Sequence, residues 1–432
     1  MRMRPVDASP PRALPSDDAQ RALLHNEVHA RPSANIRLPA RVTYVALLND
    51  GVTRVDELAH LCRLPGQGAL QDSDLASQFL RLALPDGATL KWERHTEFTR
   101  YSLVEPLDGA PNAAPALAPA WFAGLPGRTI AAIRLELLTA PLDDPQAAVA
   151  QARRWFGHDD IVASLVGGGY SCAVTDFRLQ DDGFERMLVL APEGTSERRA
   201  GRVSARLLEL ETYRLMALRG LPVAKSLAPF IGEAERALSG ITASLESPSE
   251  SDQALLDRLV TLAVGVERAT AEHMYRFSAT RAYRDLVRER IAELREKSIP
   301  GTQTISEFMQ RRLSPAIATV ESTAVRLASL SQRVERAGAL LRTRVDIARE
   351  QQNQALLAKL AEGQALQLRL QRTVEGLSIA AISYYVVSLV LYGAKGGKAA
   401  GWLHVEPELL AGVAVPLAIW GVWRLTRKAR RH

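Results

Sequence analysis

The sequence predicts an α+β cytoplasmic domain, followed by a long α-helical stalk and a C-terminal hairpin of two transmembrane helices. Three observations lead to this prediction. Strand-like and helix-like patterns are mixed up to residue 195, and residues 304–373 contain Pro315 as the one serious helix breaker. Two uncharged apolar stretches follow near the C-terminus. This is the pattern of a folded body that is attached to a membrane by its C-terminal end.

The two apolar stretches cover residues 376–394 and 409–423. At about 1.5 Å per helical residue, the first would be roughly 28 Å long, which is close to the hydrocarbon thickness of a bilayer. The second would be about 22 Å long, which fits either a short span or a buried core helix. We interpret the pair as a hairpin with transmembrane helices at 374–394 and 409–425 and an external loop at 395–408.

Basic residues flank the predicted hairpin unevenly. Arg369 and Arg372 precede the first span, and a basic tail at 426–432 follows the second, whereas the loop contains two lysines, Lys395 and Lys398. Lys and Arg concentrate in the cytoplasmic flanks of membrane spans. The sequence therefore predicts a bacterial inner-membrane protein whose body and both termini are cytoplasmic.

The chain has 432 residues and a formal net charge of +6. Five Lys or Arg residues between positions 424 and 431 account for most of this excess, so we expect a lipid bilayer as partner and no nucleic acid. Cys62 and Cys172 have no ligand-like spacing, and no cofactor is predicted. The Pro-rich residues 1–15 lack the apolar core of a signal peptide and are predicted to be a disordered tail.

Residues 16–195 are predicted to form the α/β cytoplasmic domain, because short runs of branched and alternating side chains are typical of strands. Helical patterns at 55–62 and 145–155 lie between these runs, and the Ala- and Pro-rich segment 108–126 is predicted to be a loop. A single sequence does not determine the strand order. The predicted strands cover residues 42–48, 129–138, 161–166, 172–179 and 187–190.

Residues 196–303 are predicted to be a helical region, and residues 304–373 a stalk helix that continues into the first span. Apolar residues recur every seven positions along the stalk, which predicts coiled-coil packing against another helix. That helix is either the same stalk in another subunit of a homo-oligomer or the helix predicted at 251–298 of the same chain. The repeat consists of Val320, Leu327, Val334 and Leu341, beside a stripe of Leu330 and Ala337.

Three consecutive glycines, Gly167, Gly168 and Gly169, follow a predicted strand. They match neither the G-x-G-x-x-G dinucleotide pattern nor a P-loop. A predicted strand follows them, whereas a nucleophile elbow requires a helix there. We therefore predict a glycine hairpin or bulge at this position.

Several strings along the chain resemble a bacterial family, the domain of unknown function 3422. They include HNEVHARP at 25–32, KWERHTEF at 91–98, TDFR at 175–178 and ETYR at 211–214, and the resemblance covers nearly the whole chain. It implies no established activity. Eight residues of the first two strings form a signature of unknown role: His25, Glu27, His29, Arg31, Trp92, Glu93, Arg94 and His95.

The histidines of the first string are the best metal-ligand candidates in the sequence. His25 and His29 are four residues apart, so on a helix they would share one face and could bind a metal ion. Glu27 would face away from both, unlike the glutamate that directly follows the first histidine of the zinc-peptidase motif. We favour a polar helix end without metal. The charged string at 93–97 matches no catalytic geometry, and an enzyme is not expected.

The order of domain, stalk and hairpin also resembles the plan of CorA-type magnesium channels. This resemblance implies a homo-oligomeric channel with a divalent cation as partner and a pore mouth after the first span. The span ends in Tyr-Gly-Met-Asn in CorA-type proteins and in Tyr392-Gly393-Ala394-Lys395 here. Gly393 and Lys395 would then lie at the pore mouth, where a ring of lysines would repel cations.

A polar stripe follows the first span. Ser378, Tyr385, Ser388 and Tyr392 fall within about 80° of one another on a helical wheel. These residues would line a pore in one interpretation and would mediate helix packing, with tyrosines at the membrane interface, in the other. Two functions stay open: an oligomeric ion channel or transporter of non-standard selectivity, and a membrane-tethered scaffold or regulator without transport.

Overall fold

The computed structural model describes residues 17–21, 24, 34–107, 116–246, 250–401 and 404–429. The predicted disordered tail at 1–15 lies outside these residues. Contacts between residues divide the chain into two compact units. The first comprises Met1–Ser249 and Asp257–Glu335, and the second comprises Glu250–Leu256 and Arg336–His432.

A mixed sheet forms the centre of the first unit. Its eight strands are β1 (Ala40–Leu48), β2 (Phe79–Ala83), β3 (Thr89–Arg94), β4 (Phe98–Pro106), β5 (Arg128–Thr139), β6 (Val162–Val166), β7 (Ser171–Leu179) and β8 (Glu185–Ala191). They lie in the order β2-β3-β4-β1-β5-β8-β7-β6. Neighbouring strands are antiparallel, except that β5 and β8 are parallel. With the helices around it, this sheet confirms the mixed α+β class.

Eight α-helices are found in the described part of the chain. They are α1 (Arg54–Leu61), α2 (Pro119–Ala123), α3 (Pro145–Phe156), α4 (Glu197–Leu218), α5 (Gly220–Glu246), α6 (Asp252–Leu294), α7 (Ile305–Ala399) and α8 (Pro407–Ala429). Local signals explain several of their ends. Thr53 and Asp56 form a capping box at the start of α1, and α3 ends at Gly157 in the left-handed conformation.

Helices cover both faces of the sheet. On one face, Tyr44 and Ile133 of the sheet belong to an apolar cluster that includes Leu207 and Met216 of α4. On the other face, α1 covers β3 and β4, and α3 covers β7 and β8, in two further clusters. The alternation of side chains along each strand divides the residues between these layers. The face beneath α4 positions the candidate site.

Three strands, β2, β3 and β4, were not predicted from the sequence. The string KWERHTEF lies on β3 and the turn into β4, where its dense charge conceals the alternation of a strand. Lys91 binds Glu93 two positions along the same strand, and Glu93 binds Arg100 of β4, so both charges are tolerated in a buried layer. The glycine prediction was correct, because Gly167, Gly168 and Gly169 connect β6 to β7 with φ of 64°, 78° and 110°.

The heptad residues of the predicted stalk are buried within the single chain. In the first unit, Val320 and Leu327 are 1% and 0% exposed. An ideal Cβ on Gly220 of α5 would lie 3.2 Å from Val320 Cγ1, and Arg326 binds Glu235 of α5 at 2.7 Å. A helix of the same chain, α5, therefore contacts this part of the repeat, whereas the second alternative above named the helix predicted at 251–298. A homo-oligomer stays a prediction.

Two helices at the C-terminus are long and apolar enough to cross a membrane. The apolar window of α7 has a mean hydropathy of 1.8 and is 6% buried, and that of α8 has a mean hydropathy of 1.6 and is 0% buried. Such exposure is unlike that of core helices in a folded domain. Helix α7 continues five residues beyond the predicted end of the first span, through Gly396 and Gly397, and ends before Gly401, whose φ is 76°.

Candidate functional site

A cavity of about 160 Å³ lies between the sheet and α4 in the first unit. We call it the sheet–helix cavity. Strands β1 to β4 form its floor, and α4 together with residues 34–36 covers it. Its polar lining consists mainly of Tyr44, Arg81, Lys91, Glu93, Arg100 and Ser102.

The strand register explains why these polar side chains meet. Lys91 of β3 lies directly opposite Arg81 of β2 and Ser102 of β4, and Glu93 lies opposite Arg100. Residues two apart on a strand share one face. Lys91 and Glu93 therefore both reach the cavity, whereas residue 92 belongs to the opposite face of the sheet.

Small residues on α4 leave room for the cavity and its cover. Gly201 is the clearest case, because an ideal Cβ there would lie 1.6 Å from the carbonyl oxygen of Ala34. The Ile36 N–H donates to the Glu197 carbonyl at 3.1 Å and holds the segment against the start of α4. A residue larger than glycine at position 201 would displace this segment from the cavity.

Buried charges form a chain of contacts from the cavity into the helical layer. The Glu93 side chain, 1% exposed, binds Lys91 at 3.0 Å and also accepts from Arg100. Arg100 Nη1 donates to Glu209 Oε1 of α4 at 3.1 Å, and Arg290 Nε of α6 lies 2.8 Å from Glu209 Oε2. The charge network therefore connects β3 and β4 with α4 and α6.

The titration behaviour of the network follows from burial and these contacts. Burial alone would raise the pKa of Glu93, but the charges of Arg100 and Lys91 outweigh it and hold the pKa at about 2. Burial lowers the pKa of Lys91, and Glu93 offsets part of that shift. Burial also raises the pKa of Tyr44 well above its ordinary value, so its hydroxyl, 2.8 Å from Thr212 Oγ1, stays neutral.

One polar atom of the cavity lining is left without a partner. Both Lys91 and Arg100 contact Oε2 of Glu93, and Oε1 of the same carboxylate is buried without a hydrogen bond to any described residue. A buried carboxylate oxygen normally accepts a hydrogen bond. The arrangement thus favours a ligand or water that donates a hydrogen bond to Glu93 Oε1.

The chain matches the family described as "Protein of unknown function (DUF3422)" over residues 16–432. It belongs to this family. No curated protein matches the chain. The DUF3422 match confirms the resemblance found in the sequence strings, and it lends no support to a CorA-type relationship.

The described residues contain half of the family signature. His25, Glu27, His29 and Arg31 lie outside the described residues, but residues 34–36, which follow their string closely, line the same cavity as Glu93. The other three described members, Trp92, Arg94 and His95, have packing roles. Trp92 is fully buried beneath α1, Arg94 lies 2.8 Å from Glu57, and His95 stacks on Phe98.

The predicted pore residues lie on the apolar part of α7. Ser378 donates to its own helix at Val374 O, 2.8 Å away. Tyr385 and Tyr392 are 67% and 72% exposed, and Ser388 is half-buried. A single chain does not test whether these side chains line a pore, and this interpretation stays a prediction.

The lysines at the predicted pore mouth lie close to glutamates. Lys395 Nζ lies 3.8 Å from Glu408, and Lys398 Nζ lies 2.8 Å from Glu406. Both lysines lie in the last turns of α7, and each is compensated by a glutamate at or just before the start of α8. Gly393 has open space around its Cα.

A second buried cluster lies beneath α4, where two further family strings meet. Glu211 of ETYR accepts from Arg214 at 2.8 Å, and Glu185 lies 3.7 Å from the same guanidinium. Burial and the neighbouring Glu211 raise the pKa of Glu185 to about 9. Asp176 of TDFR lies 3.2 Å from His158 Nε2. We call Glu185 and Glu211 the carboxyl pair.

Sequence reasoning missed most of the charged cavity residues. Lys91 and Arg100 of the cavity, and Glu209 next to it, belong to no catalytic or ligand pattern, and β3, β4 and α4 bring them together. The available signal was a charged string, KWERHTEF, between apolar segments. Among the described residues, no group of three or more His, Cys, Asp or Glu side chains is arranged to hold a metal ion.

Proposed function

We propose that this protein is a membrane-anchored binding protein of regulatory type, which takes up a small ligand in the sheet–helix cavity. The single observation that carries the proposal is the charged lining of that cavity. Burial of the charged Glu93 and Arg100 side chains costs desolvation free energy, whereas apolar side chains at these positions would not incur that cost. A concave site with a few convergent polar groups and shifted pKa values is the usual setting of a binding site.

The contacts of the cavity support a regulatory role. Arg100 lines the cavity and binds Glu209, which in turn contacts Arg290 of α6. A ligand that draws Arg100 or Lys91 away from Glu93 would change the balance of charge in this network. Helices α4 and α6 would then respond to occupancy of the cavity.

The proposed location is a bacterial inner membrane, with the body and both termini in the cytoplasm. Two exposed apolar helices support an anchor of two spans. Five Lys or Arg residues lie between positions 424 and 431, against Lys395 and Lys398 between the spans. By the distribution of basic residues, the tail belongs on the cytoplasmic side.

Fragment binding to the full-length protein in detergent tests the cavity. A library of small polar fragments would be measured by saturation-transfer NMR with wild type and with Ala205→Leu, which adds volume at the α4 wall of the cavity. Ala150→Leu, at an exposed position of α3, is the matched control. We expect a subset of fragments to bind wild type and the control and to be lost in Ala205→Leu. Equal binding to all three proteins, or no binding at all, would contradict the proposal.

A second candidate function is an oligomeric ion channel or transporter of CorA-like plan with non-standard selectivity. It is favoured by the exposure of Tyr385 and Tyr392 on an otherwise apolar helix, because in an oligomer this face can surround a central pore for a divalent or monovalent cation. In this proposal Ser378 and Ser388 complete the lining, and the protein has no need of a cavity ligand.

Ion flux in proteoliposomes distinguishes the two functions. Mg²⁺, Zn²⁺, Ni²⁺ and monovalent ions would be tested with wild type, with Tyr385→Ala, and with Tyr384→Ala as the matched exposed tyrosine. A channel predicts flux that changes in Tyr385→Ala more than in the control, and a higher cation flux in Lys395→Asn. If no ion crosses the membrane while the protein is folded in the vesicles, the channel function is excluded and the binding function stands.

A further inference from the structure

The β2–β3 edge of the sheet–helix cavity places two cations side by side. Arg81 is the cross-strand partner of Lys91, and both belong to the cavity lining. Directly opposed residues of an antiparallel pair have Cβ atoms about 4.5–5.5 Å apart, where like charges repel. Arg81 is exposed and has no ion pair with any described residue.

Each carboxylate near these cations is shared between two basic side chains, and none contacts Arg81 among the described residues. Glu93 binds both Lys91 and Arg100, and Glu209 binds both Arg100 and Arg290. The cavity end of this network therefore has an excess of positive charge, located at Arg81 and Lys91. An anion between these two side chains would convert a repulsion into two charge-assisted hydrogen bonds.

Apolar side chains also line the cavity, beside the uncharged polar residues Asn35, Thr89, Ser102 and Ser204. Ile36 covers the cavity, Val42 and Val104 lie on its floor, and Leu208 lies on α4. Ile36 and Val42 are 2% and 1% exposed. A volume of 160 Å³ corresponds to about five water molecules, which is the size of a short-chain organic acid.

We propose that the sheet–helix cavity binds a small aliphatic monocarboxylate, with its carboxylate between Arg81 and Lys91. Its chain packs against Val42, Val104 and Leu208. This inference rests on the proposed binding function and names the ligand class for the same cavity.

The negative charge of Glu93 sets the expected selectivity. A dianion such as phosphate or succinate would place its second charge near the Glu93 carboxylate, which stays ionised beside Lys91 and Arg100. A hydroxyl on the ligand chain would instead donate to Glu93 Oε1, the lining oxygen that has no partner among the described residues. The site therefore favours one negative charge and tolerates a neutral donor.

Titration calorimetry with the full-length protein in detergent tests the proposal. The probes are pentanoate, 2-hydroxypentanoate, pentanol, succinate and inorganic phosphate. We expect pentanoate and 2-hydroxypentanoate to bind and the other three to bind at least about tenfold more weakly, as is typical of the loss of one charge-assisted contact. Arg81→Gln should lower the affinity for pentanoate about tenfold and leave the affinity for pentanol unchanged. Arg154→Gln, at an exposed position of α3, should change neither affinity.

Three results would overturn the monocarboxylate proposal: no binding of pentanoate, binding of pentanol or phosphate as tight as that of pentanoate, or equal effects of Arg81→Gln and Arg154→Gln. Each is separable from a failure of the binding function itself. If fragments bind wild type and are lost in Ala205→Leu, the cavity is a binding site even when pentanoate fails. If no fragment binds, both proposals fall together.

Discussion

Arg100 of β4 and Glu209 of α4 join the sheet to the helical layer through a hydrogen bond of 3.1 Å between Nη1 and Oε1. The Arg100 side chain is 9% exposed and also donates to Glu93. Arg100 therefore contacts two carboxylates from different layers. Glu93 retains one further cation, Lys91, and Glu209 retains Arg290.

Removal of Arg100 should destabilise the protein more than removal of an exposed arginine. Arg100→Leu leaves the buried Glu93 with Lys91 alone, and loss of one partner from a buried ion pair typically costs about 3–5 kcal/mol. The midpoint of thermal unfolding in detergent should fall clearly below that of wild type. Arg154→Leu, at an exposed position, serves as the control, and similar midpoints for the two variants would show that the network contributes little.

A methyl group at position 201 should disrupt the cover of the cavity. Gly201→Ala places a carbon against the Ala34 carbonyl, so α4 and residues 34–36 must separate at a cost of at least about 1–3 kcal/mol. The Ile36 amide, which donates to Glu197, should lose protection in hydrogen exchange. Gly232→Ala in α5 has open space around its Cβ and should stabilise the helix by about 0.5–1 kcal/mol. Unchanged exchange of Ile36 in Gly201→Ala would contradict the assigned role.

The carboxyl pair should make stability depend on pH. The pKa of Glu185 is raised from 4.5 to about 9 in the folded state by burial and by Glu211. A raised pKa means that the folded protein binds the proton more tightly than the unfolded chain. The stabilisation that the Glu185 proton gives to the folded state is therefore complete below pH 4.5 and is lost as pH rises toward 9. The free energy of unfolding should decline over this window.

Glu185→Gln checks this pH dependence, because the amide cannot ionise. Its unfolding free energy should decline less steeply between pH 5 and 9 than that of wild type. Glu193→Gln, at an exposed position shortly after β8, is the matched control and should keep the wild-type slope. Parallel curves for wild type and Glu185→Gln would exclude a raised pKa at this residue.

Local signals made some elements predictable from sequence and left others hidden. Gly167, Gly168 and Gly169 were correctly assigned to a hairpin because a run of positive φ angles depends on the local chain alone. Strand β3 was missed because Lys91 and Glu93 are charged, and the residues that neutralise them lie on another strand or two positions along the same one. Pairing between strands is a property of the folded chain.

The candidate site shows the same division. Glu93 was singled out through the family strings, whereas Arg81, Arg100 and Glu209 were not, because strand register and the crossing of α4 bring them together. The heptad repeat predicted burial of Leu327 but not the identity of its partner. Spacing defines a face of a helix, and the rest of the chain decides what covers it.

Burial of the heptad within one chain leads to a prediction about concentration. Leu327→Ala should cost about 2–5 kcal/mol through the cavity that it leaves, whereas Leu340→Ala, 65% exposed in wild type, should cost far less. If helices of the same chain cover Leu327, the midpoint of thermal unfolding should not change with protein concentration. A midpoint that rises with concentration in wild type would indicate that stalks of several subunits pack together.

Accessibility to a membrane-impermeant maleimide tests the proposed orientation. Gly396→Cys lies near the end of α7, after its apolar stretch, and Ala358→Cys lies on an exposed part of α7 before that stretch. Cys172 is buried, and Cys62→Ser removes the more accessible native thiol. In intact spheroplasts, Gly396→Cys should react and Ala358→Cys should react only after detergent permeabilisation, because the basic flanks hold both ends of the hairpin inside. Equal protection of both cysteines would contradict a hairpin that crosses the bilayer, and the reverse pattern would place the sheet–helix cavity outside the cytoplasm.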